Sequence, residues 1–153
     1  MRRAGARFAA VASRVVALSV VAGGLLGCAR KKAEQCTALV GVVNAGLRAQ
    51  ERAAAANTPS GQADLGAMAG AMEELAAKTA ALPLSLPELR HVAADYQKMV
   101  KDIARAEREL LGAAASKERE GSRRAAAELS LEAALKQEDA IVDALNRFCQ
   151  GSP

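Results

Sequence analysis

The chain has 153 residues, with 21 Lys and Arg against 17 Asp and Glu, one His, no Trp, one Tyr and two Phe. A single His rules out a centre built from several imidazoles within one chain, and so few aromatic rings rule out a base-stacking platform. Alanine is the commonest residue and there are only four prolines, a balance that predicts an all-α chain.

Arg2, Arg3, Arg7 and Arg14 give the N-terminus four positive charges and no negative one, and the uncharged run Val15–Gly27 follows. A helix over that run spans about 20 Å, short of a bilayer core of about 30 Å. Residues 1–27 therefore read as a cleaved secretory signal peptide, not a permanent transmembrane helix. The run closes on Leu25-Leu26-Gly27-Cys28, which resembles the lipobox of bacterial lipoprotein precursors. The resemblance implies signal-peptidase cleavage between Gly27 and Cys28 and a diacylglycerol on the Cys28 thiol. It also implies a further acyl chain, such as palmitate, on the new amino group. Two or three acyl chains hold a soluble domain on a membrane where one is marginal. Within that family Ala29, where an Asp would favour the inner membrane, implies an outer-membrane position facing the periplasm of a Gram-negative bacterium. Otherwise the outer face of the cytoplasmic membrane is implied.

The basic excess belongs to the leader. From residue 28 onward the charges balance, 17 of each sign, so a nucleic-acid partner has no electrostatic support. Residues 28–35 read as a lipid-anchored tether that reaches at most about 25 Å if extended. Its Arg30, Lys31 and Lys32 would lie near lipid head groups.

Residues 36–150 read as one helical domain. Cys36, Leu39, Val40, Val43 and Leu47 share a helical face in a first segment over about 33–56. The breaker Asn57-Thr58-Pro59-Ser60-Gly61 separates it from a second segment. There Leu65, Met68, Met72, Leu75, Thr79 and Leu82 alternate spacings of three and four, the seam of a helix bundle. A turn at Pro83-Leu84 leads to a third segment, with Ser85 and Glu88 as a capping box and Pro87 in the first turn. Leu89, Val92, Tyr96, Met99, Ile103, Ala106 and Leu110 continue its apolar line. Regular structure loosens between Gly112 and Gly121. Ser122 starts the fourth segment, whose inner face carries Leu131, Leu135, Ile141, Val142, Leu145, Phe148 and Cys149.

Long segments with short connections predict an up-down-up-down antiparallel four-helix bundle. That topology brings Cys36 and Cys149 to one end, where a disulfide would staple a thin, alanine-rich core; free thiols or an intermolecular bridge are the alternatives. The third and fourth segments read as about six residues longer than the others, so their hairpin would project by about 9 Å. The tip of that hairpin is dense in mixed charge (Lys117, Glu118, Arg119, Glu120, Arg123 and Arg124) and is the candidate partner-facing surface.

Candidate chemistry is sparse. Glu88-x-x-His91 has the spacing of a di-iron ligand pair, but a second His is missing. Covalent haem attachment needs Cys-x-x-Cys-His, and Cys36 is followed by Thr37 and Ala38. His91 with Met68, Met72 and Met99 is the alternative set for a small-ligand, metal or haem carrier using the bundle interior. The methionines equally fit core positions. Glu128 and Glu138 fall near the inner face of the fourth segment as boundary residues whose carboxylates reach water. The expectation is a non-enzymatic, membrane-anchored envelope lipoprotein with a structural or protein-interaction role. Its only covalent group would be the lipid on Cys28, with no catalytic and no metal-binding residues.

Overall fold

In a computed structural model, residues 28–56, 64–114 and 120–151 are described. They form four helices and, among the described residues, no strand: α1 (Cys28–Ala55), α2 (Leu65–Ala80), α3 (Pro87–Ala114) and α4 (Glu120–Gln150). The signal-peptide expectation over 1–27, including Gly27, lies outside the described residues, as do the breaker at 57–61 and Lys117, Glu118 and Arg119.

α1 begins earlier than the periodicity predicts. Residues 28–35 are its first two turns instead of an extended tether. The reason is local: Ala29, Arg30, Lys31, Lys32, Ala33, Glu34 and Gln35 contain no Gly, Pro or β-branched residue to stop a helix. Arg30 Nε also meets Glu34 Oε1 at 2.8 Å, one turn on. α1 thus has 28 residues, as many as α3, and the short helix is α2 with 16. The expected length difference between the two helix pairs is corrected accordingly.

α2 starts at Asp64, whose Oδ1 accepts from the Ala67 amide at 2.9 Å. Its inner stripe Met68, Met72, Leu75 and Thr79 is buried as the spacing predicts. Thr79 fits there because its hydroxyl donates back to the Leu75 carbonyl at 2.9 Å. α3 starts at Pro87, and the Leu86 carbonyl accepts from the Arg90 amide at 3.0 Å. The predicted Ser85–Glu88 capping box is replaced by a side chain from another helix. Gln35 Oε1 accepts from the Ser85 and Leu86 amides at 2.9 and 3.2 Å, and Gln35 Nε2 donates to the Ser85 hydroxyl at 2.7 Å.

α1 packs along α2, α2 along α3, and α3 along α4, whereas α1 and α4 meet at few positions. Side-chain size explains the asymmetry. The inner residues of α1 are large only as far as Leu47, through Cys36, Leu39, Val40, Val43 and Leu47. At Gly46 the helix leans so close to α2 that an added Cβ would overlap the Leu75 side chain. Beyond Leu47, α1 reads Arg48, Ala49, Gln50, Glu51, Arg52, with no large apolar group to bind a further helix. Where α1, α3 and α4 do converge, Leu39, Val43, Tyr96, Ile141 and Leu145 leave a gap of about 10 Å³. That is at or below what one buried water needs, roughly 10–15 Å³.

Candidate functional site

The end of the molecule that carries Cys28 is the most heavily tied. Cys28 is the first residue of α1. Two turns on, Cys36 is bonded to Cys149 near the end of α4, with their Cα atoms 5.8 Å apart. The expected intramolecular disulfide is therefore present, and Cys36 is fully buried. Lys32 Nζ donates to the Gly151 carbonyl at 2.7 Å and sits 4.9 Å from the centroid of the Phe148 ring. Gln35 grips the turn between α2 and α3 from the other side. The first two turns of α1 are thus joined to the end of α4 and the start of α3 together.

At the other end, Arg123 and Arg124 are exposed on the first turns of α4, and Arg124 Nε meets Glu128 Oε1 at 2.9 Å. Glu120 opens α4. Glu128 is a surface residue with its carboxylate in water, as expected.

Two carboxyls lie deeper. Glu107 on α3 is 1% exposed, the only buried acidic residue among those described. Burial pushes its carboxyl up to about 7, opposed by a hydrogen bond from Gln50 of α1, and its Oε2 has no partner. The sequence signal for it was present. Glu107 falls four residues after Ile103 and three before Leu110, on the same stripe as the apolar line. Glu138 is half-buried on the inner seam of α4, between Ala134 and Ile141. Burial first and the neighbouring Asp139 second push its carboxyl up. Glu138 in turn adds to the burial that raises the Tyr96 hydroxyl above its ordinary range. It is a boundary residue as expected, but not one fully returned to water.

His91 is not brought to the methionines of the carrier alternative. Met68, Met72 and Met99 are buried in the core. The His91 side chain is 80% exposed on the outside of α3, with Nε2 3.4 Å from Asp95 Oδ2. Among the described residues no group of three or more His, Cys, Asp or Glu is placed to hold a metal ion, and no helix is long and apolar enough to cross a membrane. Glu88 is exposed at the start of α3 with its capping role taken by Gln35.

No protein-family model, curated protein or solved structure matches this chain.

Proposed function

We propose that the chain is the precursor of a non-enzymatic lipoprotein of the bacterial cell envelope, working as a structural or protein-interaction component. The observation that carries this reading is Leu25-Leu26-Gly27-Cys28 after a basic and then apolar leader, and Cys28 already lies within helix α1. The first two turns of that helix are pinned on two sides, so cleavage before Cys28 would leave a domain starting at its own anchor. In this reading the four helices run up-down-up-down. The contacts of Gln35 with Ser85 and of Cys36 with Cys149 support that order. The lipid on Cys28 is the membrane attachment, the outer membrane facing the periplasm is its place, and the end bearing Glu120, Arg123 and Arg124 is where another envelope protein would dock.

Intact mass of the chain recovered from membranes of an expressing Gram-negative bacterium tests this. The expected product begins at Cys28 and carries two or three acyl chains, and Cys28→Ala abolishes acylation and membrane recovery. A mature chain that starts elsewhere, or one with a free thiol at Cys28, overturns the lipoprotein reading. Cross-linking in intact envelopes tests the interaction role, which fails if no protein is captured reproducibly.

A further inference from the structure

We propose that the Cys28 end of the bundle is a second membrane attachment in its own right, a docking face that lies against an anionic phospholipid surface. This rests on the lipoprotein reading, because it takes Cys28 as the point where the acyl chains leave the protein.

The first support is the lack of slack. Cys28 and Cys36 belong to one continuous helix, so the anchor sits only about 12 Å from the disulfide along the axis. Cys36 is locked to Cys149 and Gln35 to Ser85, so that helix cannot swing away from the bundle. Acyl chains leaving Cys28 therefore draw this whole end to the bilayer.

The second support is what the end presents. The turn between α2 and α3 reads Leu82-Pro83-Leu84-Ser85-Leu86-Pro87, apolar apart from one hydroxyl and without a charge. Pro83 and Pro87 are exposed and the three leucines are half-buried. Gln35 already satisfies the Ser85 and Leu86 amides, which lowers the cost of moving this turn into a poorly hydrated layer. Around it the charge is basic by a small margin, five cations against three carboxylates. The first two turns of α1 carry Arg30, Lys31 and Lys32 against Glu34 alone. Across the same end, exposed Arg90 and Arg147 stand against Glu88 and Asp143. The excess is basic here although residues 28–153 as a whole are balanced. An apolar turn beside a net basic surface fits lipid tails and anionic head groups together. Docked this way, α3 stands upright and holds its far end about 42 Å above its base.

The protein has no Trp, so a single introduced indole reports its own surroundings. The full chain is purified with Pro83→Trp, or with Ala54→Trp at the far end of α1. Each is reconstituted in vesicles of phosphatidylethanolamine with phosphatidylglycerol, one lipid brominated. Acylation and vesicle flotation are read separately by intact mass and sedimentation. The expected result is blue-shifted, bromine-quenched emission at position 83 and none at position 54. Adding Lys31→Glu and Arg147→Glu should lower the docked-to-undocked ratio about tenfold or more, since each basic group near an anionic surface contributes about a factor of five. If Pro83→Trp fails to fold, Ala81→Trp on the same turn gives the same readout. A chain that is acylated and floats while position 83 stays unquenched overturns the docking face and leaves the lipoprotein reading standing. A chain that is not acylated overturns that reading, and quenching at position 83 then still decides the face. A blue shift that appears without vesicles and grows with protein concentration assigns the face to a second copy of the chain and overturns the proposal.

Discussion

Glu107 carries the largest electrostatic cost visible at any one residue. Its carboxyl ionises near 4.5 when exposed and is pushed up to about 7 in the folded chain, chiefly by burial. Below the first value both states keep the proton and folding is not penalised. Between the two values the unfolded chain ionises while the folded chain does not, so stability falls as pH rises, and above about 7 the loss is complete. At about 1.4 kcal/mol per unit the full effect is about 3 kcal/mol. Glu107→Gln removes the titration and keeps an amide beside Gln50. Urea denaturation should show the variant about 2–3 kcal/mol more stable than the parent at pH 8 and nearly equal to it at pH 4. The half-buried Glu138 leaves a smaller slope of the same sign in the variant. Parallel pH curves for the two proteins would show that Glu107 does not titrate with folding.

Glycine on α1 offers a second contrast at this scale. Nothing lies within 4 Å of a Cβ built at exposed Gly41, so Gly41→Ala should add about 1 kcal/mol through helix propensity alone. Gly46 faces Leu75, which is itself buried and cannot retreat. Gly46→Leu should cost about 1–3 kcal/mol by overpacking. Denaturant midpoints for the pair separate the two cases, and equal shifts would contradict the close approach of α1 to α2.

At the level of elements, the stripes of α2 and α3 were legible because Met68, Met72, Leu75, Tyr96, Met99 and Ile103 obey the helical period and all are buried. Other features resisted for physical reasons. Residues 28–35 hold good helix formers but almost no apolar residue, so a search for apolar periodicity passes over them. Glu107 has the right position and the wrong polarity. The start of α3 reads as self-capped because Ser85 and Glu88 have the required spacing, yet the cap arrives from Gln35, fifty residues away. No local pattern encodes a cap supplied by another helix. Gln35→Ala should therefore leave the two amides just before α3 without their partner and cost about 1–2 kcal/mol. Hydrogen exchange at Ser85 and Leu86 should speed up about tenfold, while amides in the middle of α3 exchange as before. Unchanged exchange at those two amides would mean that Ser85 and Leu86 find their partners locally.

Across the whole molecule, the helices form a series and not a closed ring. Each helix leans on the next in the chain, but α1 and α4 touch little beyond their convergence near Cys36 and Cys149. The disulfide therefore does at one end what an α1–α4 apolar seam would do along the whole length. It joins two cysteines that lie 113 positions apart in sequence, and the chain-entropy model assigns a loop of that size about 4–5 kcal/mol as an upper guide. Replacing both cysteines by alanine leaves α2 and α3 packed through Leu75, Met72, Met99 and Ile103, because those contacts do not involve the bridge. The double variant should stay helical by circular dichroism at low temperature and melt more than about 10 °C lower than the parent. Its exchange protection should vanish first over 28–40 and 141–150, the segments that only the bridge, Lys32 and the small shared patch hold together. A melting temperature unmoved by removing both thiols would mean that α1 and α4 are held by packing that their sparse contact does not supply. Uniform loss of protection over all four helices would mean that the bridge supports the entire core, not just the end that carries Cys28.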